Sequence, residues 1–272
     1  MRDRLTLLSE LSKNDSEVLG KLASKGRTWI VGGWIRDGLI KEGRRDLDIT
    51  TELTPEDIVK IFPNSLTHGA RYGTVVVRIP GSDSGWEVTT LRTEADYSDG
   101  RRPDIVNFGT DVVEDLSRRD FTVNAMAVSY PGGDFIDPFG GLSDLNSKII
   151  RAVGDASDRF SEDGLRILRA YRFVAVSNGW EIEEETKASL GNSLQMLDSV
   201  SPERIGMEFR KMLELPGSSR SISIMAEQGA LQKILPGSCP PENYLPTGKL
   251  AVDLAVMFSN GGIPKEEAVL RA

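Results

Sequence analysis

The hydrophobic period of this chain changes near residue 157, and that change restricts the folds open to it. Before it, short runs rich in β-branched and aromatic residues recur: TWIVGG (28–33), DLDIT (46–50), YGTVVVRI (72–79), WEVTTLR (86–92), DIVNF (104–108) and DFID (134–137). A helical pattern over 4–24, carried by Leu5, Leu8, Leu11, Val18, Leu19 and Leu22, precedes them. WIRDGLI (34–40) and TPEDIVKIF (54–62) read as helices among the strands, the second capped by Thr54 with Pro55 at its first position. From Ser157 onward the β signal vanishes. SEDGLRILRAYRFVAV, EEETKASLGNSLQML, SPERIGMEFRKML and SSRSISIMAEQGAL read as successive helices, separated by NGW (178–180), Pro202 and Pro216–Gly217. This order predicts an α+β head with a mixed sheet, then an all-helical part. We expect the head at 1–152, a helical neck at 153–215 and the start of a helical body at 216–272. The final GGIPKEEAVLRA stops inside a helical pattern without a C-cap.

The scarce residues exclude whole classes of chemistry. Cys239 is the one cysteine and His68 the one histidine, so a disulfide framework and histidine-rich metal sites are both ruled out. No GxSxG elbow supports a serine hydrolase. Carboxylates and arginines must carry any catalysis. The net charge of −8 means that a nucleic-acid partner would have to be met by a local basic patch. The N-terminus lacks the apolar core of a signal peptide, and no apolar run approaches the roughly 20 residues of a membrane helix. A reducing, cytoplasmic setting and no membrane partner are therefore expected.

Chemistry concentrates in VGGWIRDGLIKEGRRDLDITT (31–51). A strand ending in Gly32–Gly33 before a helix lets phosphates approach the backbone and the free N–H groups of the helix start. An ordinary strand-to-helix turn would look the same. It is no Walker loop, since no GK[ST] follows. If DLDIT is a strand, its period of two puts Asp46 and Asp48 on one face, with Leu47 and Ile49 toward the core. Two such carboxylates repel unless a cation lies between them, and oxygen ligands without histidine suit Mg²⁺. A solvated strand edge beside Arg44 and Arg45 is the alternative. Glu87 on WEVTTLR is a candidate third carboxylate.

LRILRAYRFVAV, within a helix expected over 161–176, is apolar except for Arg166, Arg169 and Arg172, with Tyr171 amphipathic. Ser161 would cap it, with Glu162 and Asp163 in its first turn. A helix apolar on most sides is buried, and its band of arginines, drifting about 60° per step, needs anionic or polar partners. A cleft that takes a triphosphate and base would supply them; so would salt bridges to the head.

GGWIRDGL…RRDLDIT resembles the catalytic signature of the class II tRNA nucleotidyltransferases and bacterial poly(A) polymerases, of the polymerase β-like superfamily. HGARYGTVVV (68–77), DLSRRDFTVNAMA (115–127), DPFGGLSDL (137–145) and SEDGLRILRAYRF (161–173) follow in order, so the resemblance spans about 28–215. It implies transfer of nucleotides from CTP and ATP to the tRNA 3′ end, with two Mg²⁺ ions on Asp46 and Asp48. It also implies Gly32, Gly33 and Arg36 near the phosphates, Arg119 on the nucleotide and Asp120 holding its ribose, within a segment that also carries Arg118 and Asn124. Asp163 and Arg166 would read the base. Cytosine and adenine share an amine donor beside a ring-nitrogen acceptor, the reverse of the pattern in guanine and uracil. Residues 92–107 resemble the loop of enzymes that complete the terminal A, and HGARYGT stands where poly(A) polymerases carry a GRRF-type signature. A poly(A) polymerase, an A-only adding enzyme and a catalytically silent RNA-binding module remain alternatives.

Overall fold

The computed structural model describes residues 4–40, 47–92, 108–176 and 179–262. They form two compact units, one ending at Ser147 and one beginning at Lys148.

The first unit starts with a 3-10 segment, Arg4–Glu10, and helix α1, Lys13–Ala23. This corrects the single helix expected over 4–24. Ser12 interrupts it by starting a new helix: its hydroxyl accepts the Asp15 N–H, while Asp15 accepts the Ser12 N–H. Next come β1 (Thr28–Val31), α2 (Gly33–Ile40), β2 (Asp48–Thr51), α3 (Pro55–Ile61), β3 (Thr74–Val77) and β4 (Trp86–Thr90). Thr54 caps α3 through the Asp57 N–H, with Pro55 at its first position as the sequence indicates. Helix α4 (Val112–Ser117), strands β5 (Ala127–Tyr130) and β6 (Phe135–Ile136) and helix α5 (Gly141–Ser147) complete the unit.

Six strands make one mixed sheet in the order β3-β4-β2-β1-β5-β6. Only β2 and β4 run parallel among these neighbours. β1 lies at the centre, and all four of its residues are buried. Val18, Leu19 and Leu22 of α1 are buried with Ile58, Phe62, Val75, Val77 and Val88 in this unit's core. Trp86 Nε1 donates to Asp15 Oδ1 at 2.8 Å and ties α1 to β4. The strand expected at 104–108 lies outside the described residues except for Phe108, which forms a bridge with Arg92.

The second unit comprises β7 (Ile149–Ile150), α6 (Ala156–Glu162), α7 (Leu165–Ala175), β8 (Glu181–Ile182), α8 (Glu184–Asn192), α9 (Pro202–Leu213), α10 (Ser218–Glu227), α11 (Ala230–Ile234) and α12 (Leu250–Asn260). Strand β8 corrects the expectation that no β structure follows Ser157. It pairs in parallel with β7, the Glu181 N–H donating to the Lys148 carbonyl and the Glu183 N–H to that of Ile150. Two further helices are divided. The one expected over 183–197 ends at Asn192 and continues as a 3-10 turn, Leu194–Ser199; the one over 218–231 breaks where Gly229 adopts a left-handed φ of 79°.

The helix expected over 161–176 is also corrected. α6 ends at Glu162, Asp163 is extended at φ −151° and ψ 104°, and α7 begins at Leu165. Ser161 does not cap α7; its hydroxyl donates to the Asp158 carbonyl. Asp163 Oδ1 instead accepts the Leu165 N–H at 3.0 Å. Gly164 lies so close to the Met196 carbonyl that a Cβ there would sit 2.3 Å from its oxygen. α7 is the core of this unit, with Ile167, Ala170 and Tyr171 fully buried. Ser221 donates to the Tyr171 carbonyl, and the Tyr171 hydroxyl to Gln228 Oε1. Burial pushes the pKa of that hydroxyl above its ordinary value.

Because the oxygen facing Gly164 is backbone, it cannot swing aside. Gly164→Ala is expected to destabilise the protein by about 1–3 kcal/mol, read as a lower urea midpoint. An unchanged midpoint would show that the α6–α7 break absorbs a methyl group.

Candidate active site

Register creates the site in the first unit. Val31, the last residue of β1, pairs with Asp48, the first of β2, so the turn after β1 meets the start of β2. Gly32 makes that turn at φ +69°. A Cβ on it would lie 2.9 Å from Arg119 Nη1 and 3.3 Å from Asp48 Oδ2. The missing side chain therefore leaves room beside a guanidinium and a carboxylate. Gly33 follows as the first residue of α2.

β2 and β4 pair in parallel with Ile49 opposite Val88, which sets the preceding residues, Asp48 and Glu87, at neighbouring positions. Both line a cleft of about 540 Å³, together with Trp34, Leu47, Val76, Ser84 and Trp86. Glu87 is exposed, Asp48 half-buried, and Leu47 and Ile49 buried as the strand period requires. Asp46 lies outside the described residues.

Arginines are held nearby by acids and amides. Arg36, one turn into α2, donates from Nε to Asp37 Oδ1 at 2.7 Å and from Nη1 to Asn124 Oδ1. Asn124 Nδ2 in turn donates to Asp120 Oδ1 at 2.9 Å, which also accepts the Phe121 N–H. Asp120 is buried and braces this chain from behind. It does not cap an α-helix: residues 122–124 form a 3-10 turn after the extended Phe121. Thr122 donates its hydroxyl to Asp144.

Asp115 is an organising residue that the sequence reading passed over. It is buried, accepts a hydrogen bond from Arg118 and forms an ion pair with Arg119 at 3.5 Å. Its spacing of three and four residues from two arginines on a helix was the available signal. Arg119 keeps a buried Nε with no hydrogen-bond partner. The atom beside Gly32 is Nη1, which donates to the Asn124 carbonyl at 3.5 Å, and a guanidinium held against a turn without a side chain suits an anionic ligand.

Asp48 and Glu87 offer hard oxygen donors, and the space that a Cβ at Gly32 would fill adjoins Asp48. This donor chemistry fits Mg²⁺. Among the described residues, no group of three or more His, Cys, Asp or Glu side chains is placed to hold a metal ion.

The second unit gathers the other predicted residues. Arg166, Arg169 and Arg172 form the partly exposed band of α7, as their spacing indicates. Arg166 Nη1 donates to Glu162 Oε2 at 2.6 Å and to the Arg159 carbonyl at 3.0 Å; Arg172 pairs with the buried Glu208 of α9. Arg169 and Arg172 both lie over the Phe173 ring. Asp163 receives Arg204 Nη2 on Oδ2 at 2.7 Å.

This sheet and its glycine-to-carboxylate turn define a polymerase β-like nucleotidyltransferase head. Residues 28–151 match the poly A polymerase head domain, and 179–240 match a probable RNA and SrmB-binding site of polymerase A. The chain is 44% identical over 229 residues to a CCA-adding enzyme of Leuconostoc citreum, covering 84% of this chain and 56% of that one. It is 42% identical over 217 residues to a CCA-adding enzyme of Geobacillus stearothermophilus, covering 80% and 52%. Among solved structures, Bacillus stearothermophilus CCA-adding enzyme in complex with CTP superposes with a TM-score of 0.78 at 32% identity, over 96% of this chain and 66% of that one. Thermotoga maritima CCA-adding enzyme complexed with tRNA gives 0.71 at 28%, over 87% and 56%. The chain belongs to the tRNA nucleotidyltransferase and poly(A) polymerase family. It spans about half the length of the curated relatives it matches. Among the described residues, no helix is long and apolar enough to cross a membrane.

Gly32→Ala tests the open turn. A methyl group there must displace Arg119 or Asp48 and also adopt a left-handed φ. Nucleotide affinity, measured by titration with CTP, is expected to fall at least about tenfold, the counterpart of losing one charge-assisted contact. Unaltered affinity would remove this turn from the nucleotide site.

Proposed function

We propose that this chain carries the catalytic head and neck of an enzyme that adds C and A to tRNA 3′ ends from CTP and ATP without a template. The observation that carries the reading is the pair of adjacent strands bearing Asp48 and Glu87 on one cleft, beside the open Gly32 turn and Arg119. The names of the relatives, CCA-adding enzymes found with CTP, ATP or tRNA, support it. In this reading residues 1–152 are the head, 153–215 the neck and 216–272 the start of a body, working in the cytoplasm, where a single free cysteine is at home.

The reaction displaces pyrophosphate when a 3′-hydroxyl attacks the α-phosphate in line. Asp48, with Asp46 two residues before it, would hold two Mg²⁺ ions, which supply positive charge to the attacking and leaving oxygens. Glu87 adds a third carboxylate on the same cleft. Gly32 and Gly33 let the triphosphate come close to the backbone, while Arg36 and Arg119 neutralise it. Asp120 acts through Asn124, which it holds against Arg36. Asp163 and Arg166 read the base: a carboxylate accepts the amine of cytosine or adenine, and a guanidinium donates to the ring nitrogen. Guanine and uracil would set like groups against each. Arg169 and Arg172 complete the nucleotide contacts.

Asp48→Asn keeps the size of the side chain and removes its charge. Incorporation of labelled CTP into tRNA lacking its 3′ end should fall by about two orders of magnitude or more, with the thermal midpoint nearly unchanged. EDTA should silence the wild-type protein, and added Mg²⁺ restore it. Full turnover in Asp48→Asn, or in EDTA, would refute metal-assisted transfer at this cleft.

A further inference from the structure

Asp163 stands outside both flanking helices, between the end of α6 and the start of α7. An aspartate there has a broad, two-fold χ2 torsion, and one hydrogen bond leaves its plane poorly fixed. Here each oxygen has its own donor. Oδ1 accepts the Leu165 N–H at 3.0 Å, and Oδ2 accepts Arg204 Nη2 at 2.7 Å. The first donor belongs to α7 and the second to α9. The Gly164–Met196 contact fixes the backbone between them. A carboxylate offers about four lone-pair sites, so two donors orient it and leave each oxygen able to accept once more.

α9 repeats this arrangement with the charges reversed. Glu208, one turn after Arg204, is buried and holds Arg172 of α7. One face of α9 thus presents a cation to Asp163 and an anion to Arg172.

We propose that Arg204 is a positioning residue for base choice: it sets the plane of the Asp163 carboxylate before a nucleotide arrives. The proposal rests on the nucleotide-adding reading above. A fixed acceptor meets an exocyclic amine at no ordering cost and opposes a carbonyl oxygen at the same place. A carboxylate free to turn away still tolerates the amine but no longer excludes the carbonyl. Discrimination, more than affinity, is what Arg204 supplies. Arginine suits the task because its planar fork holds direction, whereas lysine offers only a point charge.

The test is direct titration of the protein with CTP and with UTP, alongside incorporation of each into tRNA lacking its 3′ end. Wild type should prefer CTP. Arg204→Gln should reduce that preference about tenfold, mainly by binding UTP better, and Arg204→Lys should recover part of it. An unchanged preference in Arg204→Gln overturns the proposal. So does tighter CTP binding with the preference intact, since Arg204 would then be competing with the base. Should Arg204→Gln not fold by circular dichroism, Arg204→Lys decides: a reduced preference supports the proposal and a full one refutes it. A wild type that prefers CTP in titration yet incorporates nothing refutes the nucleotide-adding reading while the titration still judges Arg204. A wild type without preference refutes the role given to Arg204.

Discussion

The pairing of Val31 with Asp48 is the constraint on which the head's chemistry depends. It brings the end of a fully buried central strand against the beginning of the next, so a turn and a carboxylate meet with no loop between them. Slipping this register by one residue would exchange the faces of β2, sending Asp48 toward the core and Ile49 to the cleft. Burial of Ile49 opposes that slip, as does the parallel pairing of β2 with β4, which sets Asp48 beside Glu87. The acidic cleft is thus held by hydrophobic pattern, and the arginines around it are held by acids such as Asp115 and Asp37.

The helical unit solves a different problem, that of keeping several cations on a largely buried helix. α7 is apolar on most sides, and arginine is rarely tolerated so close to a core without partners. Glu162 and Glu208 answer from flanking helices, and the Phe173 ring lies beneath two of the guanidinium groups. These pairs leave the arginines partly exposed and oriented. A ligand that reaches them exchanges contacts with charges already ordered.

Much of this was legible in the sequence because it follows from local pattern. Thr54 and Pro55 announce α3, the alternation of DLDIT gives the burial of Leu47 and Ile49, and the three-residue spacing of Arg166, Arg169 and Arg172 gives their common band. What escaped depends on partners distant in the chain. At the break, Asp163–Gly164, the Met196 carbonyl lies against the backbone, and nothing between 161 and 176 records that approach. The β7–β8 pair joins segments too short to carry a period. Asp163 was marked out by its motif, whereas Arg204, 41 residues on, is visible only once α9 packs against α7.

Asp15 has a wider reach than its place near the chain start suggests. One of its oxygens closes the cap of α1, and the other receives the indole of Trp86, the residue before Glu87. Helices near a terminus ordinarily fray ahead of the domain they belong to, opening independently at little cost. Here unwinding the first turn of α1 breaks a side-chain bond to β4, and withdrawing β4 takes from the capping Asp15 the donor that holds its second oxygen. Helix α1 is thereby enlisted in the cooperative unit of the sheet, and the acidic cleft inherits an edge that opens with the domain rather than before it.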